Sequence, residues 1–179
     1  FTVGGATADY PTMADAAFAL NECGVSGPVV LNINPGTYNE TIELNEIAGA
    51  SATNTITFDG GNQTTTIISD STVQTPIIFL NGADWITFKN LTVENRSTLD
   101  SWGVVLQDTA DNNNFEDMTF EMPQIPFVFD VVGIAMTSTL TASASSGNNG
   151  NNNTISACTF NGGYRGVTLQ GLTGDFSEG

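Results

Sequence analysis

Histidine is absent from this chain, and only Lys89, Arg96 and Arg165 are basic, against 19 acidic residues. The net charge of −16 argues against nucleic-acid binding, which needs clustered Lys and Arg to displace counterions from phosphates. The same field disfavours polyanionic glycans such as pectate and alginate unless Ca²⁺ bridges the two surfaces. Without histidine, the commonest general base and metal ligand is missing. The two cysteines, Cys23 and Cys158, fall too far apart in the repeat pattern described below for a disulfide, and Cys158 reads as a small buried hydrophobe. No run of 18 apolar residues occurs, so no helix is expected to span or insert in a membrane. The opening FTVGGATADYPT has neither the charged nor the apolar region of an export signal.

What is present is repetition. FKNLTV (88–93), FEDMTF (115–120) and ISACTF (155–160) share the pattern apolar-x-x-apolar-Thr-apolar. In step with them run PIIF (76–79), GVVL (103–106), GIAM (133–136) and GVTL (166–169). Such a period, built from short strands and Asn/Gly turns with no helix between, predicts an all-β fold. The expected architecture is a right-handed parallel β-helix of about five or six coils. Period-two alternation predicts two inward stacks from the second series: Ile77, Val104, Ile134 and Val167, then Phe79, Leu106, Met136 and Leu169. A second sheet is expected to stack Phe88, Phe115 and Ile155, then Leu91, Met118 and Cys158, then Val93, Phe120 and Phe160.

The whole chain, 1–179, reads as one β-helix domain, with a cap over 1–27 and coils over 28–179. A helix is predicted at 12–23, with Thr12 and Asp15 as capping pair, an apolar stripe of Met13, Ala16, Ala17 and Leu20, and Gly24 as the stop. That stripe is expected to cover the open end of the first coil. Two segments break the rhythm, MPQIPFVFD (122–130) and TASASSGNNGNNN (141–153), and both are expected to leave the coil as loops. The ending QGLTGDFSEG carries no capping pattern, which reads as the N-terminal portion of a longer polypeptide.

The segment DYPTMADAAFALNECGVSGPVVLNINPGTYNETIEL (9–44) resembles the N-terminal cap and first coil of pectin-lyase-like right-handed β-helix proteins. More narrowly, it is similar to the start of large secreted or surface-attached β-helix proteins of Bacteroidetes-type bacteria, many exported by the type IX route. The resemblance covers about the first 95 residues and implies a secreted or cell-surface repeat protein. It says little about activity, because one such fold hosts lyases, esterases, hydrolases and adhesins.

GTYNE (36–40) looks like the GxYxE motif of pectin methylesterases, and Gln107-Asp108-Thr109 looks like their QDT. That resemblance would make Gln107, Asp108 and Asp130 the catalytic candidates of an enzymatic alternative. Register argues against it, since Asp108 aligns with Asn81 and Ser138 whereas Asp130 aligns with Asp100. A polysaccharide lyase would need a positioned base, and Lys89 is expected to point outward. Asp108, Asp111, Glu116 and Asp117 form the candidate Ca²⁺ set, although DTADNN reads first as a turn. Trp85 and Trp102 are expected on the outside as platforms for sugar rings. The favoured reading is therefore a non-catalytic extracellular stalk or adhesin scaffold without a cofactor. Its partners would be downstream domains of the same polypeptide, glycans, or a cell-surface or secretion protein.

Overall fold

A computed structural model describes residues 1–62, 64, 66–70, 75–126 and 128–171. Among the described residues the named strands all pair in parallel, and they build three sheets that share one core. The first sheet contains β1 (Thr2–Val3), β2 (Val29–Ile33), β5 (Ile56–Asp59), β8 (Ile86–Lys89), β11 (Asn114–Glu116) and β14 (Thr154–Ser156). The second contains β3 (Gly36–Asn39), β6 (Thr66–Asp70), β9 (Thr92–Asn95), β12 (Thr119–Met122) and β15 (Thr159–Gly162). The third contains β4 (Ile42–Asn45), β7 (Ile78–Asn81), β10 (Ser101–Gln107), β13 (Val131–Met136) and β16 (Arg165–Leu169). Each successive trio from β2 to β16 makes one turn of a right-handed parallel β-helix, giving about five coils.

Like residues stack on like because the pairing is in register. Leu31, Phe58, Phe88, Phe115 and Ile155 form one inward column, and its rings lie nearly parallel, with centroids 4.7 Å apart for Phe58–Phe88 and 6.1 Å for Phe88–Phe115. Tyr38, Ile68, Val93, Phe120 and Phe160 form the second column, closed by the Phe120–Phe160 stack at 4.8 Å. Leu91 and Met118 are fully buried, with Cys158 packed against the same core.

Two expectations need correction. The FKNLTV-type pattern does not lie in one sheet: it bends at Asn90, Asp117 and Ala157, which have φ of 56°, 50° and 52°, so Phe88 and Val93 belong to different sheets. The second concerns the third sheet, where the columns are Ile42, Ile78, Val104, Ile134, Val167 and Leu44, Leu80, Leu106, Met136, Leu169. Ile78 and Leu80 thus take the places expected for Ile77 and Phe79, and Asn81 pairs with Gln107 rather than Asp108. The slip arises because 77–80 is a continuous apolar run, and Phe79 also finds an apolar partner on the outer face.

The helix α1 (Met13–Cys23) starts and stops where its sequence pattern places it. The Thr12 hydroxyl oxygen accepts from Asp15 N, and Gly24 turns the chain at φ 64°. Met13, Ala16, Ala17 and Leu20 are buried. α1 covers the open edge of β4: Asn21 donates through Nδ2 to Glu43 O at 2.9 Å and accepts from Asn45 N at 3.0 Å. One side chain thereby stands in for a missing neighbouring strand. Residue 65, just before β6, lies outside the described residues. Of the ending read as uncapped, residues 172–179 also lie outside them.

Candidate functional site

The residues singled out by the sequence divide into structural and surface groups. Glu40, the last residue of GTYNE, accepts from Met13 N at 3.1 Å and Ala14 N at 2.9 Å, so its carboxylate caps the positive end of α1. Tyr38 donates to Asn34 O at 2.6 Å. The esterase-like motif is thus occupied in holding the cap on the first coil.

Gln107 ends β10 in an outward row with Asn45 and Asn81, in which Asn81 Nδ2 donates to Asn45 Oδ1 at 2.9 Å. Asp108 follows it, exposed, at φ 59°. Asp130 precedes β13, and the Ser101–Val131 pairing sets it beside Asp100. Asp108 is eight residues further along the paired strand than Asp100, a span of about 26 Å at 3.3 Å per residue. The carboxylates of the esterase alternative therefore stand at opposite ends of the sheet.

The four candidate Ca²⁺ ligands also separate. Asp108 and Asp111 lie at the corner from the third sheet to the first, where Asp111 Oδ1 accepts from Asn151 N at 2.6 Å. Glu116 and Asp117 lie at the far end of β11. Among the described residues no group of three or more acidic or thiol side chains is placed to hold a metal. At the same corner Asp84 accepts from Asp111 N at 2.6 Å. Burial pushes its carboxyl above the usual aspartate range, the Asp111 N–H opposes this, and the charges of Asp111 and Glu46 add to the rise.

The expectation that both tryptophans are exposed holds for neither in full. Trp102 is 2% exposed: it points to the outer face of the third sheet, but Val105, Val132, Ala135, Phe79 and Leu140 bury it in a second apolar cluster. The sugar-platform reading of Trp102 is corrected on that ground. Trp85 is half-buried at φ 61°, the corner position taken by Asn112 at 59° and Asn152 at 56° in the next coils. An indole in a conformation that favours Asn or Gly is strained. Trp85 remains the tryptophan able to meet a ligand.

The two segments that break the repeat meet at one place. Around them lies a groove of about 580 Å³ whose lining includes Leu99, Asp100, Phe129, Asp130, Ser143 and Arg165. Ser143, 1% exposed, ties the loops together: its N–H donates to Asp130 Oδ2 at 2.9 Å and its hydroxyl to Asp130 Oδ1. Arg165 approaches Asp130 at 3.6 Å and lies 4.9 Å from the centre of the Tyr164 ring. Phe129 meets Tyr164 edge-on with centroids 5.4 Å apart, and the two are 59% and 55% exposed. Sequence reasoning passed over Phe129. The available signal was an aromatic residue in a segment outside the coil rhythm, where no inward position exists to receive it.

All three basic residues are paired, Lys89 with Asp59 at 3.0 Å, Arg96 with Glu94 at 2.7 Å and Arg165 with Asp130. Both cysteines are free thiols, and burial, with the Asp117 charge adding to it against two opposing hydrogen bonds, raises the Cys158 pKa. Compared with models of known protein families, with curated proteins and with solved structures, the chain matches none.

Proposed function

We propose that the chain is a non-catalytic, extracellular β-helix module of a larger bacterial surface or secreted protein, a rigid stalk that presents glycan-contacting side chains on its flank. The observation that carries this reading is the division of labour just described. The cap and first coil absorb the GTYNE residues Tyr38 and Glu40, whereas exposed aromatic and polar side chains gather where loops leave the coils. The separation of Asp108 from Asp130 weighs against the esterase alternative. The resemblance of 9–44 to pectin-lyase-like proteins, and to Bacteroidetes-type surface proteins exported by the type IX route, supports the extracellular setting.

Further coils or domains of the same polypeptide are the proposed partners. Val167 and Leu169 occupy the inner columns of the fifth coil yet are 37% and 60% exposed, an apolar surface that a packed partner would cover. A glycan array with the intact protein tests the ligand part of the reading. Retention on neutral glycans is expected. Retention on polyanionic glycans alone contradicts the neutral-glycan reading, and retention on none contradicts glycan contact and leaves the stalk.

A further inference from the structure

We propose that the groove between residues 128–130 and 142–144 is a preformed binding site for a neutral oligosaccharide, with Phe129 as the stacking face and Asp100, Asp130 and Arg165 as the polar contacts. This deepens the glycan reading above and rests on it.

The chemistry of the lining selects the ligand. A pyranose has apolar C–H faces and a rim of hydroxyls that donate and accept, so it needs an exposed ring flanked by both kinds of polar group. Phe129 supplies the ring at 59% exposure. Asp100 and Asp130 supply acceptors from neighbouring coils, and Arg165, 43% exposed, supplies donors. A polyanion is disfavoured because the groove's cation is already neutralised by Asp130 and the chain carries −16 overall. A basic peptide is disfavoured because Arg165 stands inside the groove and its charge offsets that of Asp130.

The walls are held before any ligand arrives. Besides the Ser143–Asp130 bonds, Thr137 Oγ1 donates to Ala142 O at 2.7 Å and accepts from Ser145 N at 3.0 Å. Asp130 O in turn accepts from Ser101 N at 3.0 Å. A loop fixed at these points loses little freedom on binding, which is what preorganisation contributes to affinity.

Isothermal titration with cellohexaose, xylohexaose, mannohexaose, hexagalacturonate and pentalysine tests the assignment, using the intact protein and its Phe129→Ala, Asp100→Asn and Trp85→Ala variants. Each variant is first checked for an unchanged melting temperature. The expected result is binding of at least one neutral hexasaccharide, weakened fivefold or more by Phe129→Ala, weakened by Asp100→Asn and unchanged by Trp85→Ala. If Trp85→Ala abolishes binding and Phe129→Ala does not, the groove assignment falls and the glycan reading stands. If no neutral hexasaccharide binds, both fall. Hexagalacturonate or pentalysine binding more tightly than every neutral sugar overturns the assignment in favour of an acidic glycan or a basic peptide.

Discussion

Gly133 shows how closely successive coils approach one another. A Cβ there would lie 2.5 Å from a ring carbon of Phe160 and 2.7 Å from Gly166 O, and at Gly103 it would lie 2.5 Å from Gly133 O. The glycines that open GVVL and GIAM are therefore a steric requirement, which is why they recur. Coil two has Ile77 at that level instead, fully buried, with its N–H donating to Trp102 O at 3.3 Å. Asn113 is another residue whose role follows from stacking: it accepts from Ile86 N at 2.9 Å and donates to Ala83 O at 2.8 Å. Asn153 repeats both bonds one coil on, to Asn113 N and Ala110 O, each at 2.8 Å. Asp84 lies on the same corner and has a raised pKa, chiefly from burial. A carboxyl raised above its unfolded value of 3.8 contributes stability fully present below that pH and lost as pH rises through the folded pKa. Asp84→Asn keeps an acceptor for Asp111 N and removes the charge. Its melting temperature is expected to exceed the parent's at neutral pH, with the gap closing toward pH 3; a variant less stable at neutral pH would contradict this.

At the scale of elements, α1 stabilises the first coil by completing its hydrogen bonds as well as by burying its stripe. Asn21→Ala leaves Glu43 O and Asn45 N without their partner, at a cost of roughly 1–2 kcal/mol. Faster hydrogen exchange at the Asn45 amide is the expected signature, and unchanged exchange there would remove Asn21 from the capping role. The helix was legible because its cap, stripe and stop are all local signals: Thr12 with Asp15, the spacing of Met13 to Leu20, and Gly24. The division into three sheets was not, because the bend at Asn90, Asp117 and Ala157 uses a single left-handed residue and no Gly or Pro. Register in β7 differs by one residue from the expected one because Phe79 has an apolar environment on the outer face. Alternation distinguishes faces only where one of them meets water. The same outer cluster hid Trp102, since Leu140, which helps cover it, comes from a different coil and no local pattern ties the two together.

Across the whole molecule, one continuous core runs through the coils, and loops carry what is left for function. Fold was readable from the repeat itself, because stacking identical positions is what makes a solenoid column. The groove was not readable, because its residues come from 99–100, 128–130, 142–144 and 165, and only the coil brings them together. High acidity with every cation paired suits a surface that avoids polyanions. On the proposed reading, this module engages glycans without transforming them. Prolonged incubation of the intact protein with methylated pectin, pectate and the neutral hexasaccharides, followed by mass spectrometry of the sugars, separates a binding module from an enzyme. Every sugar is expected to be recovered at its starting mass. A cleaved, de-esterified or unsaturated product, absent when Asp100→Asn, Asp108→Asn or Asp130→Asn replaces the parent, would show an enzyme instead.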